Sequence, residues 1–139
     1  MATINLAGVD EMIKRLTASG ANVDKYAPEI LKAAAGKLEA AIKQNLRNVV
    51  SSESSGEMLK SVKTYKPAKN KSGVWKIMVG FDGYDRVTGV PNNQKAMAME
   101  YGTSKQPAKP FLRPAVAASE NECLKIIQTE FERVLQSEH

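Results

Sequence analysis

One continuous apolar stripe constrains this chain more than any other feature. Between about Lys25 and Val50, Ile30, Leu31, Ala34, Leu38, Ala41, Ile42, Leu46 and Val49 recur at spacings of three and four. That is the period of an α-helix with one face against a core. Lys32, Lys37, Glu39, Lys43 and Arg47 fall mostly off the stripe. At about 1.5 Å per residue the helix is roughly 37 Å long, enough to run across a whole small domain. Pro28 fits only near its first turn, where a missing N–H costs least.

A second long helix is predicted from Pro114 to about Gln136, with Cys123, Leu124, Ile127, Phe131, Val134 and Leu135 as its stripe. Proline at a first helical position has the right φ and loses no hydrogen bond. Between the two helices the period changes to two. Val62, Thr64 and Lys66 alternate with Lys63 and Tyr65, and Trp75, Ile77, Val79 and Phe81 alternate with Lys76, Met78 and Gly80. This predicts a β-hairpin with one apolar face, joined by a basic, exposed loop from Lys69 to Gly73.

The remaining stretches are shorter. Ile4, Leu6 and Val9 predict an extended start, and Asp10 to Ala18 a small helix with Met12, Ile13 and Leu16 on one side. Ser51 to Gly56 reads as a break, and Glu57 to Lys60 as one helical turn with Met58 and Leu59 inward. Asp82 to Gln94 is a long polar loop, of the kind that is usually functional or mobile. Lys95 to Glu100 has helical character. With 139 residues, 42% apolar and 25% charged, the chain can bury one core. The expectation is a single α+β domain over residues 1–139, with a small antiparallel sheet packed against two long α-helices on one face.

The residues argue against most chemistry. The one histidine is the terminal His139, a candidate tag residue. A serine nucleophile activated by imidazole therefore has no base. The one cysteine, Cys123, falls on an apolar stripe and reads as a small buried hydrophobe; alone it can form no internal disulfide. Zinc sites want several Cys and His ligands, and these are lacking. Asp82 and Asp85 share a glycine-containing loop but lack the alternation of a calcium loop, so a capped turn is the better reading. No glycine-rich phosphate loop is present. The chain is expected to be no enzyme, with no catalytic or metal residues and no cofactor. No signal peptide is expected either, since no basic stretch precedes an apolar run near the start, and no window is apolar enough to span a membrane.

Charge is unevenly spread around a net +5. Residues 57–76 hold six lysines against Glu57, a net +5, whereas residues 119–138 hold five glutamates against Lys125 and Arg133, a net −3. Such asymmetry can orient neighbours in an assembly. Lys63, Lys66, Lys69 and Lys71 are candidate DNA-facing residues on the basic hairpin, although no interleaved aromatics or helix-turn-helix pattern accompanies them.

One stretch has no ordinary explanation. Glu100-Tyr101-Gly102-Thr103 is followed by Pro107 and then by Pro110-Phe111-Leu112-Arg113-Pro114-Ala115. Three prolines in eight residues stiffen the chain, and Phe111 and Leu112 can anchor the entry to the last helix. Tyr101, Phe111 and Leu112 are expected to fix the stretch to the core, and Arg113 to pair with an acid or with backbone carbonyls.

This stretch resembles a motif of the head–tail joining proteins of long-tailed phages and prophages, also called tail-completion or neck components. Ser55-Gly56-Glu57-Met58-Leu59-Lys60-Ser61-Val62 resembles the step by which that family ends its long helix and opens its sheet. The order of elements agrees from about residue 4 to 137. The resemblance implies a structural virion protein, made in the bacterial cytoplasm and built into the neck. There it would form a sixfold homo-oligomeric ring between the head connector and the tail tube, around passing DNA. It implies no cofactor and no membrane partner. The alternative is a nucleic-acid binding module that uses the basic 60–76 hairpin without reading sequence.

Overall fold

A computed structural model of the chain describes residues 2–5, 14, 15, 17, 18, 20, 22–49, 57–86 and 88–137. In order these form β1 (Ala2–Asn5), α1 (Val23–Val49), α2 (Glu57–Lys60), β2 (Val62–Thr64), β3 (Ala68–Lys69), β4 (Trp75–Phe81), α3 (Asn92–Tyr101) and α4 (Leu112–Ser137). The α+β expectation holds: a small antiparallel sheet and two long helices. Lys14, Arg15, Thr17 and Ala18 are helical. The apolar side expected for that small helix, Met12, Ile13 and Leu16, lies outside the described residues, as do Leu6, Val9 and the Ser51 to Gly56 break.

The central strand of the sheet is β4. On one side β1 pairs antiparallel with it, with Ile4 opposite Ile77. On the other, β2 and β3 pair with it in succession, Val62 opposite Phe81 and Lys69 opposite Trp75. The register shifts between them. Three residues, 65–67, separate Thr64 from Ala68, but only Ile77 and Met78 separate their partners Val79 and Lys76. The extra residue is a bulge, and it contains Pro67, which has no N–H for a ladder. Strand pairing thus runs through Lys69, and the connecting turn, residues 70–74, lies one residue later than the sequence suggests. Asn70 closes it by accepting hydrogen bonds at Oδ1 from the N–H groups of Ser72 (2.9 Å) and Val74 (3.0 Å).

Ile77, Val79 and Phe81 face inward, and α1 covers them. It also contacts α4, so it forms the middle layer. Both helices bury residues four apart: Ile30, Ala34, Leu38, Ile42 and Leu46 on α1, and Ala115, Ser119, Cys123, Ile127, Phe131 and Leu135 on α4. Ridges of this i±4 type interlock when two helices pack. The helices run antiparallel, since Asn45 reaches Phe111 while Ala34 meets Cys123. Alanines at 27, 34 and 35 keep the contact close enough for Cys123 Sγ to donate to the Ala34 carbonyl at 3.4 Å. Leu124, expected on the buried stripe, is 37% exposed.

Helix boundaries also differ from expectation. Helix α1 begins at Val23, so Pro28 stands in the second turn and leaves the Asp24 carbonyl without its usual partner. The Asp24 side chain works outward instead. Its Oδ1 accepts from the Trp75 indole at 2.8 Å and its Oδ2 from Lys69 at 3.0 Å, tying the hairpin to the helix start. Those two hydrogen bonds, the indole's first, hold the Asp24 carboxyl below its ordinary pKa. Helix α3 starts at Asn92, three residues before the expected Lys95. The preceding loop is built as a small hairpin rather than a slack connection. Tyr84 bridges to Pro91, and Asp85 and Val90 close it at 2.8 Å. Asp85 caps the turn at Thr88 and pairs with Lys95, so it takes the structural role open to it.

Candidate functional site

The unusual stretch gathers at one end of the molecule, where α3 ends and α4 begins. A helix start exposes N–H groups with no intrahelical partner. In α4 the first intrahelical bond runs from Ala115 N to Phe111 O, at 3.3 Å. That leaves the N–H groups of Phe111, Leu112 and Arg113, because Pro114 has none. All three donate to the Glu100 carboxylate, at 3.2, 2.9 and 3.1 Å to Oε1. Glu100 is fully buried. Its negative charge lies at the positive end of the α4 dipole, where an anion is favoured. The helix start is therefore completely satisfied, and one residue from α3 does it.

Arg113 closes the site from outside. Its Nε lies 3.9 Å from Glu100 Oε2, and its Nη2 donates to the Glu100 carbonyl at 3.5 Å. The guanidinium stacks 5.0 Å from the centre of the Tyr101 ring, a cation–π contact. The expected pairing of Arg113 with an acid and a carbonyl is therefore present. Tyr101 departs from expectation. It is 63% exposed and anchors nothing in the core. As the last residue of α3, one step past Glu100, it points away from the face that Glu100 buries. The anchor is Phe111, fully buried with its ring edge-on to Phe81 at 5.8 Å, together with the buried Leu112. The Phe111 carbonyl also accepts from Asn45 Nδ2 at 3.2 Å, joining the end of α1 to the same point.

Gly102 lets the chain turn back here. Its φ is 80°, and a Cβ would lie 2.7 Å from the Ala108 nitrogen, so a side chain would meet backbone. Lys109 N donates to Met99 O at 2.7 Å and holds the returning chain against α3. Thr103 pairs with Gln106, and its hydroxyl accepts from the N–H groups of Lys105 and Gln106 at 3.2 Å. Between these fixed points, residues 103–110 are exposed throughout, Pro110 included. The motif thus builds a rigid exposed arm on a buried carboxylate.

Sequence reasoning placed Glu100 in the motif but missed its task. The three donors are eleven to thirteen residues away, beyond the spacing of any local capping box. The available signal was Pro114 following three residues whose N–H groups needed a distant acceptor.

The basic hairpin is less free than its sequence suggests. Lys63 pairs with Asp82 at 3.6 Å and Lys69 with Asp24 at 3.0 Å. Lys66 and Lys71 are exposed and form no ion pair among the described residues. Cys123 is buried, and desolvation pushes its thiol pKa up, away from nucleophile chemistry. No group of His, Cys, Asp and Glu suited to a metal ion occurs among the described residues, and no described helix is long and apolar enough to cross a membrane.

The site is a helix start capped by a carboxylate from another helix, with an exposed segment between the two. Residues 10–102 match the HK97-gp10-like family, described as "Bacteriophage HK97-gp10, putative tail-component". The chain belongs to this family of phage tail components, whose place is in the virion. The match takes in α1, the sheet hairpin and α3, and ends at Gly102, before the Pro110 to Pro114 half of the motif. No curated protein and no solved structure matched the chain.

Proposed function

We propose that this chain is a neck component of a long-tailed phage or prophage, made in the host cytoplasm. On this reading it assembles into a sixfold ring that joins the head connector to the tail tube, and it acts by assembly without catalysis. The observation that carries the reading is the arm at residues 103–110. A segment exposed along its whole length is held rigid by a buried carboxylate, a glycine that tolerates no side chain and a buried phenylalanine. Rigidity in an exposed segment lowers the ordering cost of docking, which suits a surface that must meet a neighbour in one geometry. Membership of a tail-component family supports the same reading.

Negative-stain imaging of the protein alone and mixed with isolated tails tests it. A closed ring with a central hole wide enough for duplex DNA is the expected result. Failure to form rings in solution and on tail ends alike would reject the neck assignment.

DNA passing through such a ring would meet lysines without any reading of sequence. Since Lys63 and Lys69 already have acidic partners, Lys66 and Lys71 are the two of the four candidate lysines with charge to spare. If those two alone contact phosphate, log K should fall with log salt at a slope of about −2. Titration of a labelled duplex at several salt concentrations measures it. A slope near −4 would mean that all four lysines engage DNA, and would favour a dedicated nucleic-acid binding module. A slope near zero would remove phosphate contact altogether.

A further inference from the structure

The layered fold separates two mixed, oppositely charged faces. The side of the sheet turned away from α1 presents Lys63, Tyr65, Lys76 and Met78, because their neighbours Val62, Thr64, Ile77 and Val79 turn inward. Lys63 lies over the Tyr65 ring on that face, at 5.2 Å. Lys76 is exposed and has no ion pair among the described residues. On the other side of α1, helix α4 presents Val116, Glu120 and Leu124, which follow one another a turn apart. Val116 and Leu124 are two of the four large hydrophobic residues exposed among the described residues. Glu120 is exposed and forms no ion pair among them.

The wider charge balance has the same sign. Residues 57–86 hold seven basic and three acidic residues, a net +4, while residues 119–137 hold two basic and four acidic ones, a net −2. A two-fold contact of either face with itself would set like charges together. A contact between the two different faces sets unlike charges together and repeats head to tail, as ring closure requires. We propose that the outer sheet face of one copy packs on the Val116, Glu120 and Leu124 stripe of a second copy. This rests on the assembly reading above and names the surfaces that would carry it.

Light scattering of the full chain over a concentration series tests it, at about 20 mM and about 300 mM salt, which span strong and weak charge interaction. The mass is expected to exceed that of a monomer at low salt and to fall at high salt. Lys76→Glu and Glu120→Lys should each weaken association by roughly three- to tenfold. The double variant K76E/E120K should recover it, because both sides of the contact are reversed together. Far-UV circular dichroism confirms that each variant is folded. A double variant as weak as the singles would overturn the proposal. So would rings that ignore both salt and charge reversal, although these would leave the neck reading intact. A chain monomeric at every salt concentration also overturns it, while the neck reading would still be decided by imaging on tail ends.

Discussion

Glu100→Ala is expected to destabilise the protein by about 3–5 kcal/mol, the cost of stripping a buried charge from groups built around it. Three N–H groups at the start of α4 lose their acceptor at once, and the helix has no local residue positioned to replace it. Most domains are stable by only about 5–15 kcal/mol, so the midpoint of thermal unfolding should drop by on the order of 10–20 °C. Glu100→Gln separates hydrogen bonding from charge. It keeps one carbonyl oxygen in nearly the same place, and should cost about 1–3 kcal/mol. Urea unfolding of the three proteins measures both. Equal losses for the two variants would mean that charge at the dipole, not the number of acceptors, holds the helix start. A loss below about 1 kcal/mol for the alanine variant would show that water can take over the capping. On the assembly reading, Glu100→Ala should also reduce ring formation, because the 103–110 arm is hung from that residue.

Phe111→Ala is expected to cost about 3–5 kcal/mol, as truncation of a fully buried aromatic commonly does. The ring fills the junction of β4, α1 and α4, and its edge-on contact with Phe81 adds about 0.5–1.5 kcal/mol beyond area burial. Phe111→Leu keeps most of the volume and should cost less than about 1.5 kcal/mol. Chemical denaturation distinguishes the two. A loss well under about 1 kcal/mol for the alanine variant would show that Phe111 is not the anchor and that the backbone bonds to Glu100 and Asn45 carry the junction alone.

The exposed residues of the motif show how packing reassigned roles. Tyr101 and Phe111 are both aromatic and both lie beside a turn, so their types alone do not say which one is buried. Adjacent helical positions point about 100° apart. Once Glu100 faces inward to meet the α4 amides, Tyr101 must face out, and Arg113 then finds its ring. The lysines of the hairpin were reassigned in the same way. Lys69 sits opposite Trp75 on the strand pair, which sets it on the side of Asp24, and no pattern within residues 60–76 could have named a partner 45 residues earlier.

What the sequence determined by itself were the periodic elements and the broad class. The stripes of α1 and α4 and the alternation through β2 and β4 are local consequences of burying one face, and they predict an α+β domain without further help. The bulge at Pro67, the start of α3 at Asn92 and the place of β1 across β4 needed pairing partners distant in the chain. The decisive feature of the site was of that second kind. A carboxylate on one helix completes the start of another, and that bond exists only after both helices pack against the same core, because the low-dielectric interior leaves the three amides no other acceptor.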